Sequence, residues 1–234
     1  MAVLTATLPR PAFHKRPLQR RTLRVLLAVV LGYVVLWAAG AGGILALSYW
    51  MREETPAPAG TRAVQGVHNF QPVDTQGHLW RGAAPSPAGY RALAAMGITT
   101  VVDLRAEDLS AAQLAEPAKA GLKLVRLPIR DGQTPKPEQV REFLDTVAHA
   151  SGPVFVHCGA GVGRTGTMAA AYLVQTGEES SAQAVRRNLA VGPPSIEQIY
   201  YGLNLSPAEA EQPPLPVVVV SRLVDAPRRI ASWF

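Results

Sequence analysis

One cysteine, Cys158, occurs in 234 residues. A single thiol excludes an intrachain disulfide framework and any zinc site built on several cysteines. The five histidines are scattered and make no ligand cluster with it, so no metal and no cofactor are expected. Acidic residues are missing from the first 50 positions, where Arg10, Lys15, Arg16, Arg20, Arg21 and Arg24 account for the whole formal excess of +6. The other 17 of the 23 Lys and Arg balance the 17 Asp and Glu that follow. A basic balance that would suggest a nucleic-acid binder is thus confined to the N-terminal tail, and nucleic acid is not an expected partner. The 48% hydrophobic content rules out a polar disordered chain.

Charge of either sign is also missing from Val25 to Met51. As a helix this run would reach roughly 40 Å, more than the ~30 Å hydrocarbon core of a bilayer, so it can span. Trp37 falls mid-span, and Tyr49 and Trp50 stand at the distal end, where aromatic belts occur. A secretory signal would have a shorter apolar region ending in small residues, so a retained anchor is the preferred reading. The excess of Lys and Arg before the span predicts an N-terminus in the cytoplasm and a large C-terminal part on the opposite side. The expected organisation is a basic cytoplasmic tail (1–24), a transmembrane helix (25–51), a Pro- and Gly-containing linker (52–66), a folded domain (67–205) and a C-terminal tail (206–234).

Within the domain, strand-like pieces are expected around Val67 to Phe70 and His78 to Arg81. Ser86-Pro87 has the chemistry of a helix start, with Gly97 as the stop. Ile98 to Leu104 and Leu122 to Ile129 read as strands flanking a helix from Ser110 to Ala120. Thr134-Pro135 opens a helix with Val140, Phe143, Leu144 and Val147 at helical spacing, and Val154 to Cys158 is a third buried strand. Helices are expected from Arg164 to Gln175, from Ser181, and from a capping box at Ser195 to Gln198. Strands alternating with helices predict an α/β domain, a central and largely parallel sheet flanked by helices. Beyond Pro213, Pro214 and Pro216 the tail reads as an edge strand, a packed tail, or a basic amphipathic surface segment with Arg222, Arg228, Arg229, Trp233 and Phe234.

The chemistry is concentrated in His157-Cys158-Gly159-Ala160-Gly161-Val162-Gly163-Arg164-Thr165-Gly166, between a buried strand and a helix. Glycines let the backbone turn N–H groups inward, and a helix N-terminus adds positive partial charge, so the loop is a cradle for a tetrahedral oxyanion. Arg164 adds a planar fork for two phosphate oxygens. A sulfur at a helix N-terminus beside a cation is stabilised as the thiolate, the form that attacks phosphorus. The competing reading of Cys158 is a buried structural cysteine that happens to precede glycines. Gly161 to Gly166 also satisfies G-x-G-x-x-G, but fewer than about 70 residues follow, too few for the further βαβ units of a dinucleotide fold. A nucleoside-triphosphate loop fails for want of Gly-Lys-Ser/Thr at the required spacing.

His157-Cys158-x5-Arg164-Thr165 matches the signature of the cysteine-dependent protein tyrosine phosphatase superfamily, with Gly159 where classical members carry serine. The resemblance covers roughly Val67 to Leu205. Its compactness, Leu79-Trp80-Arg81-Gly82 with Pro85, Val102-Asp103-Leu104-Arg105 and Leu127-Pro128 are more similar to the dual-specificity branch. The resemblance implies a three-layer phosphatase fold and the following roles. Cys158 would be the nucleophile, and Arg164 the phosphate clamp together with backbone N–H groups of Gly159, Ala160, Gly161, Val162, Gly163 and Arg164. Thr165 would donate its hydroxyl toward the sulfur and assist thiolate departure, and His157 would order the loop from behind. Asp131, after the strand that precedes the helix before the signature, would be the general acid and base. Asp103 reads as structural, and Glu107 and Asp108 as solvated.

The uncharged loop residues Gly159, Ala160, Val162 and Gly163 disfavour a multiply charged inositide, so a phosphorylated protein, phosphotyrosine first and phosphoserine or phosphothreonine next, is the expected substrate. A lipid-headgroup phosphatase and a catalytically silent, membrane-tethered phosphoprotein-binding module are the alternatives. The oligomeric state has no signature in the sequence.

Overall fold

The computed structural model describes residues 17–208 and 210–231. Arg10, Lys15 and Arg16 of the basic tail, and Trp233 and Phe234 at the other end, lie outside the described residues. Helix α1 (Pro17–Glu54) runs unbroken for 38 residues. Among the described residues it is the one helix long and apolar enough to cross a membrane. Leu26, Val30, Leu31 and Val35 are exposed along it. The helix continues past Met51, so Arg52 belongs to it and not to a linker. The Arg52 guanidinium donates to the carbonyls of Ala190 and Val191, which end α6 (Ser181–Val191). Cations are favoured at that end of a helix. One turn back, the Ser48 hydroxyl donates to the Leu189 carbonyl, and Met51 packs on Val185 and Leu189. The lower end of α1 is therefore docked on the globular part.

Five strands follow, β1 (Gln71–Pro72), β2 (Leu79–Ala83), β3 (Thr100–Arg105), β4 (Lys123–Ile129) and β5 (Val154–Cys158), in the order β1-β2-β5-β3-β4. β1 pairs antiparallel with β2, and the remaining pairs are parallel. β5 lies in the middle because Val154, Phe155 and Val156 are fully buried, as a strand covered on both faces requires. Side chains alternate across the sheet. Val101 and Phe155 meet Tyr90 and Leu93 of α2 (Pro87–Ala95), together with Ile98 and Leu122. Val102, Leu104, Val154 and Val156 meet Val140 and Phe143 of α4 (Pro137–Ala148) and Met168 of α5 (Gly163–Gln175). Each fully buried Val, Leu or Phe contributes about 1.5–3 kcal/mol. The expected α/β layering with a largely parallel sheet is the observed one.

Local signals set most helix starts. Ser86 accepts from the Gly89 N–H, and capping boxes pair Ser110 with Gln113 at α3 (Ala111–Lys119) and Ser195 with Gln198 at α7 (Ile196–Leu203). For α6 the cap is Ser180, one residue before the expected start. α4 begins at Pro137, later than Thr134-Pro135 suggested.

Two expectations are corrected. Residues 67–70 form no strand beyond a single bridge between Val64 and Val67, because Asn69 adopts a left-handed φ of 54° that breaks extended pairing; the strand is Gln71–Pro72. The C-terminal stretch is no edge strand either. It forms helix α8 (Leu215–Ala231), with the buried Ser221 hydroxyl accepting the Glu197 N–H at the start of α7, and Val224 packed on Gly40 of α1. Tertiary packing outweighs the strand propensity of four consecutive valines.

Candidate active site

β5 ends at Cys158 and α5 begins at Gly163, so the glycine-rich segment is the link between a central strand and a helix N-terminus. Cys158 is 3% exposed. What shapes the loop is the fate of its carbonyls. The Ala84 N–H donates to Gly159 O at 2.9 Å, and the Asn69 amide to Ala160 O at 2.9 Å. The Arg81 guanidinium donates to Gly161 O at 2.8 Å and to Val162 O at 3.3 Å, and is itself steadied by Asn188 Oδ1 at 3.0 Å. With four successive carbonyls held from outside, the N–H groups of the same trans peptides are turned toward the opposite, inner side of the loop. Burial lowers the Arg81 pKa to about 10, with the nearby Cys158 acting in the opposite sense, so it remains a cation at neutral pH. Gly161 has φ +73°, and a Cβ there would stand 2.3 Å from the Gly82 backbone, so no other residue fits.

Arg164 is 3% exposed and donates through both terminal nitrogens to the two carboxylate oxygens of Glu107, each at 2.8 Å, and through Nη1 to Ile129 O at 3.0 Å. Asp131 Oδ1 lies 3.4 Å from Nη2. Burial pulls the Arg164 pKa down, but the Glu107 hydrogen bonds and the neighbouring Cys158 and Asp131 outweigh it and hold it above its ordinary value. For Glu107, burial raises the pKa, but the Arg164 hydrogen bonds and charge, its own backbone N–H and Arg105 together hold it below its ordinary value. Glu107 is exposed, as expected, and it also holds the arginine fork from the side, across a sequence separation of 57. Asp108 is exposed, and Asp103 is buried under Arg105, as a structural residue would be.

Most of the buried, unsatisfied polar atoms point to the same place. Among the described residues, the buried side-chain atoms with no hydrogen-bond partner include Arg164 Nε, Arg81 Nε, His157 Nε2 and Thr165 Oγ1, all in or directly behind the loop. Buried orphans of this kind mark sites that ligands complete. The expected donation from Thr165 to sulfur is therefore not made: its hydroxyl is buried without a partner, in keeping with the weak acceptor character of sulfur.

His157 has the position expected behind the loop. Its Nδ1 lies 3.1 Å from Cys158 O, fixing the tautomer in which Nδ1–H donates. Asp103 Oδ1 is 3.9 Å from the same nitrogen, but the two do not form an ion pair at neutral pH, because burial lowers the His157 pKa from 6.5 to about 4. The native state thus refuses a proton that the unfolded chain accepts below pH 6.5. The stability this preserves is present above pH 6.5 and is lost as pH falls toward 4, on the order of 3 kcal/mol. Thermal melts should fall across that window, and His157→Gln should flatten the slope. An unchanged slope in the variant would remove His157 as its source.

Residues 59–201, more than half of the chain, match the family model of the DSP-PTPase phosphatase fused to NAD+ kinase. The chain belongs to this DSP-PTPase phosphatase family. The human dual specificity protein phosphatase CDC14C is 33% identical over 102 residues, 41% of this chain and 22% of that protein. The probable chloroplastic NAD kinase 2 of Oryza sativa subsp. japonica is 35% identical over 96 residues, 38% of this chain and 10% of that protein. The matched parts are thus about a tenth to a fifth of these relatives' lengths. Two solved structures share the fold of the DSP-PTPase domain. One is the core catalytic domain of the S. cerevisiae PP-IP phosphatase SIW14 (17% identity, TM-score 0.52, 71% of this chain and 96% of that one). The other is P. aeruginosa TpbA in complex with phosphotyrosine (22% identity, TM-score 0.51, 73% and 98%).

The sequence motif located Cys158, Arg164, Asp131, Thr165 and His157, and the fold gathers all five. Asn69, Arg81 and Ala84 were not recognised as supports of the loop, although Arg81 lies in a segment that carried the family resemblance.

Proposed function

We propose that this DSP-PTPase phosphatase hydrolyses phosphomonoesters on proteins, phosphotyrosine first, through a phosphocysteine intermediate. The observation that carries the reading is the set of unpartnered donors, Arg164 Nε foremost, around a sulfur at the mouth of an inward-facing amide cradle. A phosphoryl group seated there takes its oxygens' hydrogen bonds from the loop amides and Arg164 Nε–H, while Glu107 keeps the guanidinium plane fixed. The Cys158 thiolate attacks phosphorus in line. The P–S bond forms as the P–O bond to the leaving group breaks, and Asp131 gives its proton to the departing oxygen. In the second step water attacks the phosphocysteine and Asp131 takes its proton. The P–S bond breaks, the sulfur leaves as thiolate, and inorganic phosphate is released. Every catalytic group belongs to the chain, and none of these steps needs a metal.

Substrate class follows from charge. Gly159, Ala160, Val162 and Gly163 place no cation beside the bound phosphate, so a second phosphate on the same small molecule gains nothing here. Asp131→Asn should lower kcat about 10²–10⁴-fold on a phosphotyrosine peptide, whose phenolate leaves poorly without protonation. The deficit should shrink on an aryl phosphate with an acidic leaving group. Equal losses on both would displace Asp131 from the acid role. A panel of phosphopeptides and phosphoinositides assayed with the full-length protein tests the substrate class, and higher kcat/KM on the lipids would overturn the protein assignment.

A further inference from the structure

Helix α8 touches α1 at an unexpected height. The Tyr33 hydroxyl donates to the Leu223 carbonyl at 3.1 Å, and Val224 lies so close to Gly40 that a Cβ on that glycine would stand 2.7 Å from a valine methyl. Both α1 residues lie inside the uncharged run from Val25 to Met51. Ser48, where α1 docks on α6, marks the end of α1 nearest the globular part. At 1.5 Å per residue, Gly40 is about 12 Å and Tyr33 about 22 Å further up the helix. Whatever touches those residues sits at the depth of the apolar segment.

The outward face of α8 suits that depth. Leu215, Val219, Val220 and Leu223 are 74%, 47%, 39% and 43% exposed. At 100° per residue they occupy one side of the helix, while Ser221 and Val224 on the other side are buried against α7 and α1. We infer that α8 is seated in the membrane against α1, with its Leu215–Val219–Leu223 side in lipid, so that the catalytic domain is held by two helices and not by a single tether. This inference rests on α1 spanning the membrane.

The seat reaches the active site. Asp225 follows Val224, and its carboxylate lies 3.0 Å from where a Cβ of Gly132 would be, beside Asp131. The Ser195 hydroxyl donates to Gly132 O from the cap of α7, on which α8 lies. The loop carrying the proposed general acid is therefore backed by the same helix that meets lipid.

The test uses full-length protein in which Cys158→Ser removes the native thiol and one cysteine is introduced at a time, at Val30, Val219, Leu223 or the exposed Glu142 of α4. Each is labelled with an environment-sensitive fluorophore and reconstituted into phosphatidylcholine–phosphatidylglycerol vesicles, with and without lipids bearing a quencher on their acyl chains. The labels at Val30, Val219 and Leu223 should lose most of their fluorescence to the quencher, and the label at Glu142 none. Adding Gly40→Leu, which removes the close approach of Val224, should relieve quenching at Leu223 and leave it intact at Val30. Quenching at Val30 with none at Val219 and Leu223 would overturn the seat of α8 alone. Absence of quenching at Val30 would overturn the span, and the seat with it.

Discussion

Full-length protein carrying Cys158→Ser should lose essentially all phosphatase activity, a drop on the order of 10⁴–10⁶-fold in kcat. A serine hydroxyl stays protonated at neutral pH, and no side chain stands ready to take its proton. The nearest imidazole, His157, has Nδ1 committed to Cys158 O and sits behind the strand, not beside the nucleophile. The cradle itself depends on none of the sulfur's chemistry. Its carbonyls are held by Ala84, Asn69 and Arg81, and those contacts survive the substitution. Affinity for a phosphotyrosine peptide should consequently persist within a few-fold while turnover disappears, as titration calorimetry beside a phosphate-release assay would show. A variant retaining more than a tenth of the activity would place the nucleophile elsewhere. One that also lost binding would show that the sulfur shapes the loop.

Arg164→Lys should come next in size, at about 10³-fold in kcat with a rise in KM. A lysine keeps the charge and can still meet Glu107, so the domain should fold. It cannot present two parallel N–H groups to the Glu107 carboxylate and a third donor, Nε–H, to phosphate at the same time. The planar geometry is what the transition state uses, because negative charge spreads over equatorial oxygens as the P–O bond breaks. Comparison of kcat/KM for the two proteins on one phosphopeptide decides the matter. Values within tenfold of each other would reduce Arg164 to a structural cation paired with Glu107.

Features governed by neighbours in the chain could be read from the sequence. The strand, glycine-rich turn and helix around Cys158 are contiguous, and capping chemistry at Ser86, Ser110 and Ser195 lies within a few residues of the N–H groups it satisfies. Val154 to Val156 announce a buried strand by their unbroken apolar run. The same locality put Asp131 at the end of a strand that the sheet brings beside Arg164. What stayed hidden depends on distant partners. Glu107 looks like any surface carboxylate until Arg164, 57 residues on, is folded against it. Asn69 and Arg81 act on carbonyls about 80 to 90 residues away, and nothing in their own surroundings announces it. The C-terminal valine run favours a strand by intrinsic propensity, and only the surfaces of α1 and α7 make it a helix. Thr165 illustrates the limit of analogy: the residue type is right and the position is right, but its hydroxyl makes no bond to sulfur.

The solitary thiol decides how this protein would meet oxidants. Peroxide finds one thiol in the chain, and it is the proposed nucleophile. Many thiol-dependent enzymes shelter a sulfenic acid by condensing it with a second cysteine, and that refuge is absent. A sulfenic acid at Cys158 can be rescued only by a thiol from another molecule or by capture on a backbone nitrogen, and the amide of Gly159 is the first in reach along the chain. Without such rescue, further oxidation carries the sulfur to the sulfinic stage and ends its chemistry. The sequence feature that simplifies the fold thus makes recovery from oxidation depend on the small-molecule thiols of whichever compartment holds the catalytic domain.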